Sequence, residues 1–141
     1  AAGGLVQLEK LDGMNERRRQ LAAALTDRLK GIPGIVLPHV DERGKHVFHV
    51  YMIQLPKDAP ISKTDFMWEL YTGYDIKAWS HYIPIHLTQP YLYRGHKAGE
   101  CPVTEEVVER HVTLPIHPCL TEEALDYLAA SIRRVIEGAS R

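Results

Sequence analysis

The chain has 141 residues, a length that suits one domain able to bury its own core without disulfides or a metal. Its 17 basic and 18 acidic residues give a formal net charge of -1, so we expect no binding to nucleic acid or to an anionic membrane surface. No apolar run approaches the roughly 20 residues of a membrane span, and no signal peptide is visible. The two cysteines form no CxxC pair, which indicates free thiols and a cytoplasmic protein.

The first part of the chain predicts a long helix followed by strands. Leucines recur at helical spacing from Leu5 to Leu29, and Gly31 with Pro33 ends the helix. Gly13 interrupts this stripe and favours a bend there. A short strand is predicted at 35–37 and a longer one at 46–55. Because the longer strand is apolar on both faces, we expect it to be central or to be buried against a second domain.

The second part predicts helices that enclose an irregular loop. Ser62 and Asp65 form a capping box, and the helix that they open ends at Gly73. A strand is predicted at 76–80, a loop rich in proline, tyrosine and glycine at 81–102, a short helix at 105–110 and a strand at 112–114. Thr121 caps the last helix, which ends at Gly138.

Together these elements predict an α+β fold over a single domain, residues 1–141. The sheet is expected to be small, antiparallel or mixed, with three to four strands, and the helices to pack mainly on one of its faces.

The densest group of polar and aromatic side chains lies in the loop, at His81, Tyr82 and His86, followed by Gln89 and Tyr91. Two imidazoles and two phenols in a stretch stiffened by proline could line a pocket, where histidine donates to a hydroxyl or phosphate or moves a proton. The alternative is that these rings simply pack, since most loop residues carry no function.

The remaining histidines and the cysteines predict no metal site. His111, His117 and Cys119 are close in sequence, as are His96 and Cys101. Neither group has the spacing of HExxH, a zinc finger or a four-cysteine site. GxGxxG and P-loop motifs for phosphate are also absent from the sequence.

Several phrases, taken in order, resemble the small C-terminal domain of the DegT/DnrJ/StrS aminotransferases. They are AAGGLVQLEKLD at 1–12, GIPGI at 31–35, HVFHVY at 46–51, HYIPIH and QPY within 81–91, CPV at 101–103, LPIHP at 114–118 and LTEE at 120–123. The resemblance covers nearly the whole chain. The sequence also opens without methionine and runs directly into a helical pattern, so we expect a C-terminal fragment whose large domain, which binds pyridoxal phosphate (PLP), is absent.

The resemblance implies a fold-type-I PLP enzyme that works as a homodimer. Such enzymes transfer an amino group, usually from glutamate or glutamine, to a keto group on a nucleotide-linked sugar. In the family an upstream lysine holds PLP as a Schiff base, so this chain carries no catalytic or cofactor-binding residue and is expected to be inactive alone. The resemblance implies that His81, Tyr82 and His86 bind the substrate.

Two alternatives stay open beside this interpretation. Some family members replace the PLP lysine and catalyse dehydration, and the deciding residue lies outside the sequence. A stand-alone, non-catalytic α+β binding or regulatory module would have the same helices and strands. Trp79 departs from the small, glycine-bearing stretch that the family usually has before the loop, and this changes the expected pocket shape.

Overall fold

The computed structural model describes residues 2–139, which form five α-helices, one 3-10 turn and two strands. The elements are α1 (Ala2–Leu29), β1 (Tyr51–Gln54), α2 (Lys63–Tyr74), a 3-10 turn (Ile85–Leu87), α3 (Gln89–Leu92), α4 (Pro102–Arg110), β2 (His111–Leu114) and α5 (Glu122–Ala139). Within these described residues, no helix is both long and apolar enough to cross a membrane. The predicted α+β class is confirmed.

The sheet consists of β1 and β2, which pair antiparallel with Tyr51 opposite Leu114 and Gln54 opposite His111. The predicted strands at 35–37 and 76–80 each make only a single bridge, through Val36 to Gln54 and through Trp79 to Thr113. The expectation of three to four strands was therefore wrong, since the described sheet has two.

Prolines explain why the flanking segments do not extend into strands. Two residues along from the first bridge, the antiparallel register places Pro38 opposite Met52 and Gly34 opposite Pro56. Beside the second bridge it places Lys77 opposite Pro115. Proline has no backbone N–H to donate to a ladder, so pairing stops at both ends of the first bridge and at one end of the second.

The predicted strand at 46–55 is also shorter than expected, because the chain turns before Tyr51. Phe48 has a positive φ of 47°, and its backbone N–H donates to Nδ1 of His46 at 3.0 Å. The turn carries the Phe48 ring into the core, where it stacks on the ring of Tyr51 with centroids 6.1 Å apart. The segment at 46–50 is therefore not a strand, and the Phe48 ring lies on the core side of the sheet.

The core lies on one side of the sheet. Tyr51 and Ile53 point into it from β1, and α1, α2 and α5 pack around them with apolar side chains such as Leu25, Phe66 and Ile132. These helices follow the spacing that the leucine and isoleucine stripes predict.

The opposite face of the sheet is only partly covered. Met52, which alternates with the core residues of β1, is 44% exposed. The helices that form the core therefore leave this side of β1 partly open. Such a face is typical of a surface that meets another protein segment or a ligand.

α1 continues through Gly13 without a break, contrary to the bend expected there. Its buried residues begin only at Leu21, so the first half of the helix extends beyond the core with Leu5 and Leu8 exposed. No atom lies within 4 Å of the place where a Gly13 side chain would begin, so the glycine neither kinks the helix nor admits a neighbour.

Candidate functional site

The partly covered face of the sheet forms the floor of a groove with a volume of about 450 Å³. Its walls are mainly apolar and come from the segment after Val36, from β1 and from the end of α4. Four imidazoles also line it: those of His39, His46, His81 and His111. The fold positions them together because β2 carries His111 on the same face as Met52 and Gln54.

His81 is fixed at the edge of this groove by β2. Two residues before it, Trp79 and Thr113 exchange two backbone hydrogen bonds of 3.0 and 2.7 Å. Nδ1 of His81 then lies 3.0 Å from Oγ1 of Thr113, and the His81 ring stacks beside Trp79 with centroids 6.3 Å apart. The paired backbone hydrogen bonds of Trp79 and two side-chain contacts, with Thr113 and Trp79, therefore orient the predicted site histidine.

Tyr82 lies next to His81 but points outward. Its side chain is 73% exposed, and its ring contacts the His81 ring with centroids 4.6 Å apart. The peptide bond between the two residues is cis. Ile83 and Ile85, which follow, are also largely exposed, so this loop presents aromatic and apolar side chains to whatever lies beyond the described residues.

His86 is in a different environment from the other two predicted residues. It is only 9% exposed, and its Nε2–H donates to Oε1 of Glu105 at 2.9 Å. The same carboxylate accepts backbone N–H groups from Gly99, at 2.9 and 3.0 Å, and from Cys101, at 3.2 Å. The structure therefore brings His81 and Tyr82 together and places His86 apart from them, in a network that ties the loop to α4.

Glu105 is a residue that the sequence reasoning missed. Its pKa is lowered, first by the backbone hydrogen bond from Gly99 and then by the side-chain hydrogen bond from His86. The only sequence signal is an acidic residue in the first turn of a predicted helix, a common feature that does not specify a partner. Its role depends on contacts with residues 86 and 99, which only the folded chain brings together.

His111 is the second unexpected feature. Its side chain is 3% exposed, and neither ring nitrogen has a hydrogen-bond partner among the described residues. Burial lowers the pKa of His111, and the charge of Lys63 lowers it further. Backbone carbonyls of Val107, His81 and Val108 act in the opposite direction, but more weakly. The ring is therefore neutral at neutral pH.

The groove does not have the groups that PLP requires. Neither lysine nor arginine lines it, so the described residues offer it no amine for a Schiff base and no cation for a phosphate. The nearby Lys63 is engaged, because its Nζ donates to Oγ of Ser80 at 3.0 Å and to the carbonyl of Val108 at 2.6 Å. Within residues 2–139, no three histidine, cysteine or acidic side chains are grouped so that they could hold a metal ion.

The groove thus offers a concave, mainly apolar surface without a reactive amine among its lining residues. The crystal structure of DesV from S. venezuelae, in complex with a ketimine intermediate, contains a similar fold with a TM-score of 0.82 at 28% identity. The similarity covers 96% of this chain and 34% of the DesV chain.

The sequence model of the DegT/DnrJ/EryC1/StrS aminotransferase family matches residues 1–133, and the chain belongs to this family of PLP-dependent sugar aminotransferases. It is 31% identical over 142 residues to the spore coat polysaccharide biosynthesis protein SpsC of Bacillus subtilis (strain 168), covering 99% of this chain and 36% of SpsC. It is 32% identical over 136 residues to the dTDP-3-amino-3,4,6-trideoxy-alpha-D-glucose transaminase of Micromonospora megalomicea subsp. nigra, covering 94% of this chain and 35% of that enzyme. The chain thus spans about a third of the length of these relatives.

Proposed function

We propose that the chain is the C-terminal domain of a PLP-dependent aminotransferase that acts on a nucleotide-linked keto sugar. The observation that carries the proposal is the His81 ring, which β2 holds at the edge of a groove open to the uncovered side of the sheet. The relative from Micromonospora, a dTDP-amino-sugar transaminase by name, supports this substrate class. Glutamate or glutamine as amino donor and a homodimeric assembly complete the proposal.

In this proposal the chain binds and encloses the sugar, while the cofactor is held elsewhere. His81 contacts the substrate because it lines the groove, and Tyr82 contacts it because its exposed ring lies against the His81 ring. For His86, its buried hydrogen bond to Glu105 supports the alternative role of anchoring the loop. PLP supplies the electron sink for amino transfer and is assigned to the large domain, since the groove has no lysine.

The division of labour gives each domain a separate task. The largely apolar groove excludes water from the sugar and orients it, which lowers the entropic cost of amino transfer. Groups that position a substrate in this way affect KM and kcat/KM more than they affect cofactor binding.

The test uses the full-length protein with a dTDP-linked keto sugar and with glutamate or glutamine as donor. We expect formation of the amino sugar, and we expect His81→Asn to lower kcat/KM for the sugar with unchanged PLP content and thermal stability. His117→Asn is the matched control, because His117 is an exposed histidine outside the groove. An enzyme that binds PLP but transfers no amino group to any nucleotide-linked keto sugar would contradict the proposal.

A further inference from the structure

Thr113 has a position on β2 that links it to His81 in two ways. Its backbone N–H and carbonyl bind Trp79, which fixes the chain two residues before His81. Its side chain lies on the groove face of the sheet, where Oγ1 meets Nδ1 of His81 at 3.0 Å. The threonine is buried, so water does not compete for this hydroxyl group.

The hydrogen-bonding capacity of the Thr113 hydroxyl decides which nitrogen of His81 carries the proton. A hydroxyl has one hydrogen to donate, and Nδ1 of His81 is its partner among the described side chains and backbone groups. If the hydroxyl only accepted from Nδ1–H, its own hydrogen would be buried without an acceptor, which is costly. The hydroxyl therefore donates to Nδ1, which leaves Nε2 as the ring nitrogen that carries a proton.

The Nε2 atom is free to meet a ligand. Among residues 2–139 it has no hydrogen-bond partner, and it is not fully buried. Since His81 lines the groove, this nitrogen is an accessible N–H donor at the groove edge.

We propose that Thr113 is a positioning residue that holds His81 with its proton on Nε2, so that His81 donates a hydrogen bond to an uncharged oxygen of the sugar. The inference rests on the proposed function and goes beyond it, because it assigns the direction of the hydrogen bond and the kind of oxygen that accepts it.

The groove lining supports an uncharged acceptor. Neither lysine nor arginine lines the groove, and the neighbouring His111 is held neutral by burial. A phosphate oxygen placed here would lose hydration without gaining a lysine or arginine partner. A hydroxyl or keto oxygen of the sugar ring carries no such cost and needs only the single donor that His81 offers. This lining favours the sugar as the group bound in the groove, with the diphosphate outside it.

The experiment is a double-mutant cycle in the full-length enzyme with the sugar as varied substrate. Thr113→Val removes the hydroxyl at nearly constant shape, and Thr113→Ser keeps it. His81→Gln retains an amide N–H near the place of Nε2, whereas His81→Asn retains a polar group only near Nδ1. We expect Thr113→Val to raise KM for the sugar by about 2- to 10-fold, the value of one neutral hydrogen bond, with a smaller change in kcat.

Two further comparisons distinguish a positioning role of Thr113 from a merely structural one: rescue by serine, and the effect of Thr113→Val in the His81→Asn background. Thr113→Ser should restore KM, and His81→Gln should retain more kcat/KM than His81→Asn. In the His81→Asn background, Thr113→Val should have no further effect, because the group through which it acts is gone. Thermal unfolding of each variant shows whether the fold is intact.

The opposite results overturn the inference. Thr113→Val with unchanged KM, or with the same effect in the wild-type and His81→Asn backgrounds, would show that Thr113 does not act through His81. Those outcomes leave the proposed function intact so long as the wild-type enzyme transfers the amino group. A wild-type enzyme with no transfer activity would overturn both proposals together.

Discussion

Replacing His111 by leucine should stabilise the chain and remove part of its sensitivity to acid. The imidazole is 3% exposed and its two ring nitrogens lack hydrogen-bond partners among the described residues. A buried polar group without a partner costs about 1–3 kcal/mol, and leucine fills a similar space without that cost. Because the carbonyls of Val107, His81 and Val108 face the ring, we expect the lower part of this range, a gain of about 1 kcal/mol at neutral pH.

The gain should grow as the pH falls. Burial lowers the pKa of His111 below its ordinary value of 6.5, so between pH 7 and the folded-state value the unfolded chain binds more protons than the folded chain. The contribution of His111 therefore lowers the wild-type free energy of unfolding as the pH drops below 6.5. This contribution becomes constant once the pH is below the folded-state pKa of His111. His111→Leu lacks this contribution.

The assay is urea or thermal unfolding of the 141-residue chain at pH 7.5, 6.5 and 5.5, with circular dichroism as the probe. A gain of about 1 kcal/mol corresponds to an increase of about 3–5 °C in Tm for a domain of this size. His117→Leu makes the same chemical change at an exposed position and should have little effect at any pH. A His111→Leu variant that is less stable than the wild type, or whose gain is independent of pH, would refute the account of a buried, unpartnered imidazole.

Two further predictions concern the backbone turn and the loop. Gly34→Ala should destabilise the chain by more than about 1 kcal/mol, since φ is +73° and a Cβ would lie 2.8 Å from the Pro56 ring. Gly13→Ala, on an open helix surface, should stabilise the chain by up to about 1 kcal/mol. Equal shifts in Tm for the two variants would contradict this prediction. Glu105→Gln should destabilise the loop at neutral pH, with faster hydrogen exchange at the Gly99 and Cys101 amides. Because the pKa of Glu105 is lowered, its contribution to stability is present above pH 4.5 and is lost as the pH falls through the folded-state pKa, so the stabilities of variant and wild type should converge in acid. Glu109→Gln is the exposed control. Unchanged hydrogen exchange at the Gly99 and Cys101 amides in Glu105→Gln would contradict the proposed network.

Local rules predicted the helices well because their signals lie within a few residues of one another. The Ser62 hydroxyl accepts from the Asp65 N–H at 3.1 Å, and Thr121 accepts from the Ala124 N–H at 3.2 Å, as the capping patterns indicate. Helix ends were less accurate. Gly73 and Gly138 lie inside α2 and α5, and Asp75, with a φ of 53°, follows α2 in the left-handed conformation.

The sheet was predicted less well because pairing depends on register. Pro38, Pro56 and Pro115 end the flanking bridges, but their effect follows only once each is known to lie beside a particular partner. The turn at Phe48 is a tertiary effect, in which burial of one ring against Tyr51 outweighs the extended conformation that the sequence favours.

The candidate site could be predicted only in part, because its long-range contacts also depend on the folded chain. The loop that holds His81 and Tyr82 stands out by its composition. The sequence does not show that His81 contacts Thr113, 32 residues away. It also does not show that His86 binds Glu105, 19 residues away. Long-range partners of this kind determine whether a loop histidine faces a ligand or anchors the loop.

The central claim is that this chain encloses the substrate while another part of the same protein holds PLP. The most direct measurement is borohydride reduction of the full-length protein loaded with PLP, followed by peptide mass spectrometry to locate the phosphopyridoxyl-lysine. The account predicts a single labelled lysine outside these 141 residues, and no label when the chain alone is treated in the same way. A label on Lys63, Lys77 or another lysine of this chain, or a full-length protein in which no lysine is labelled, would contradict it.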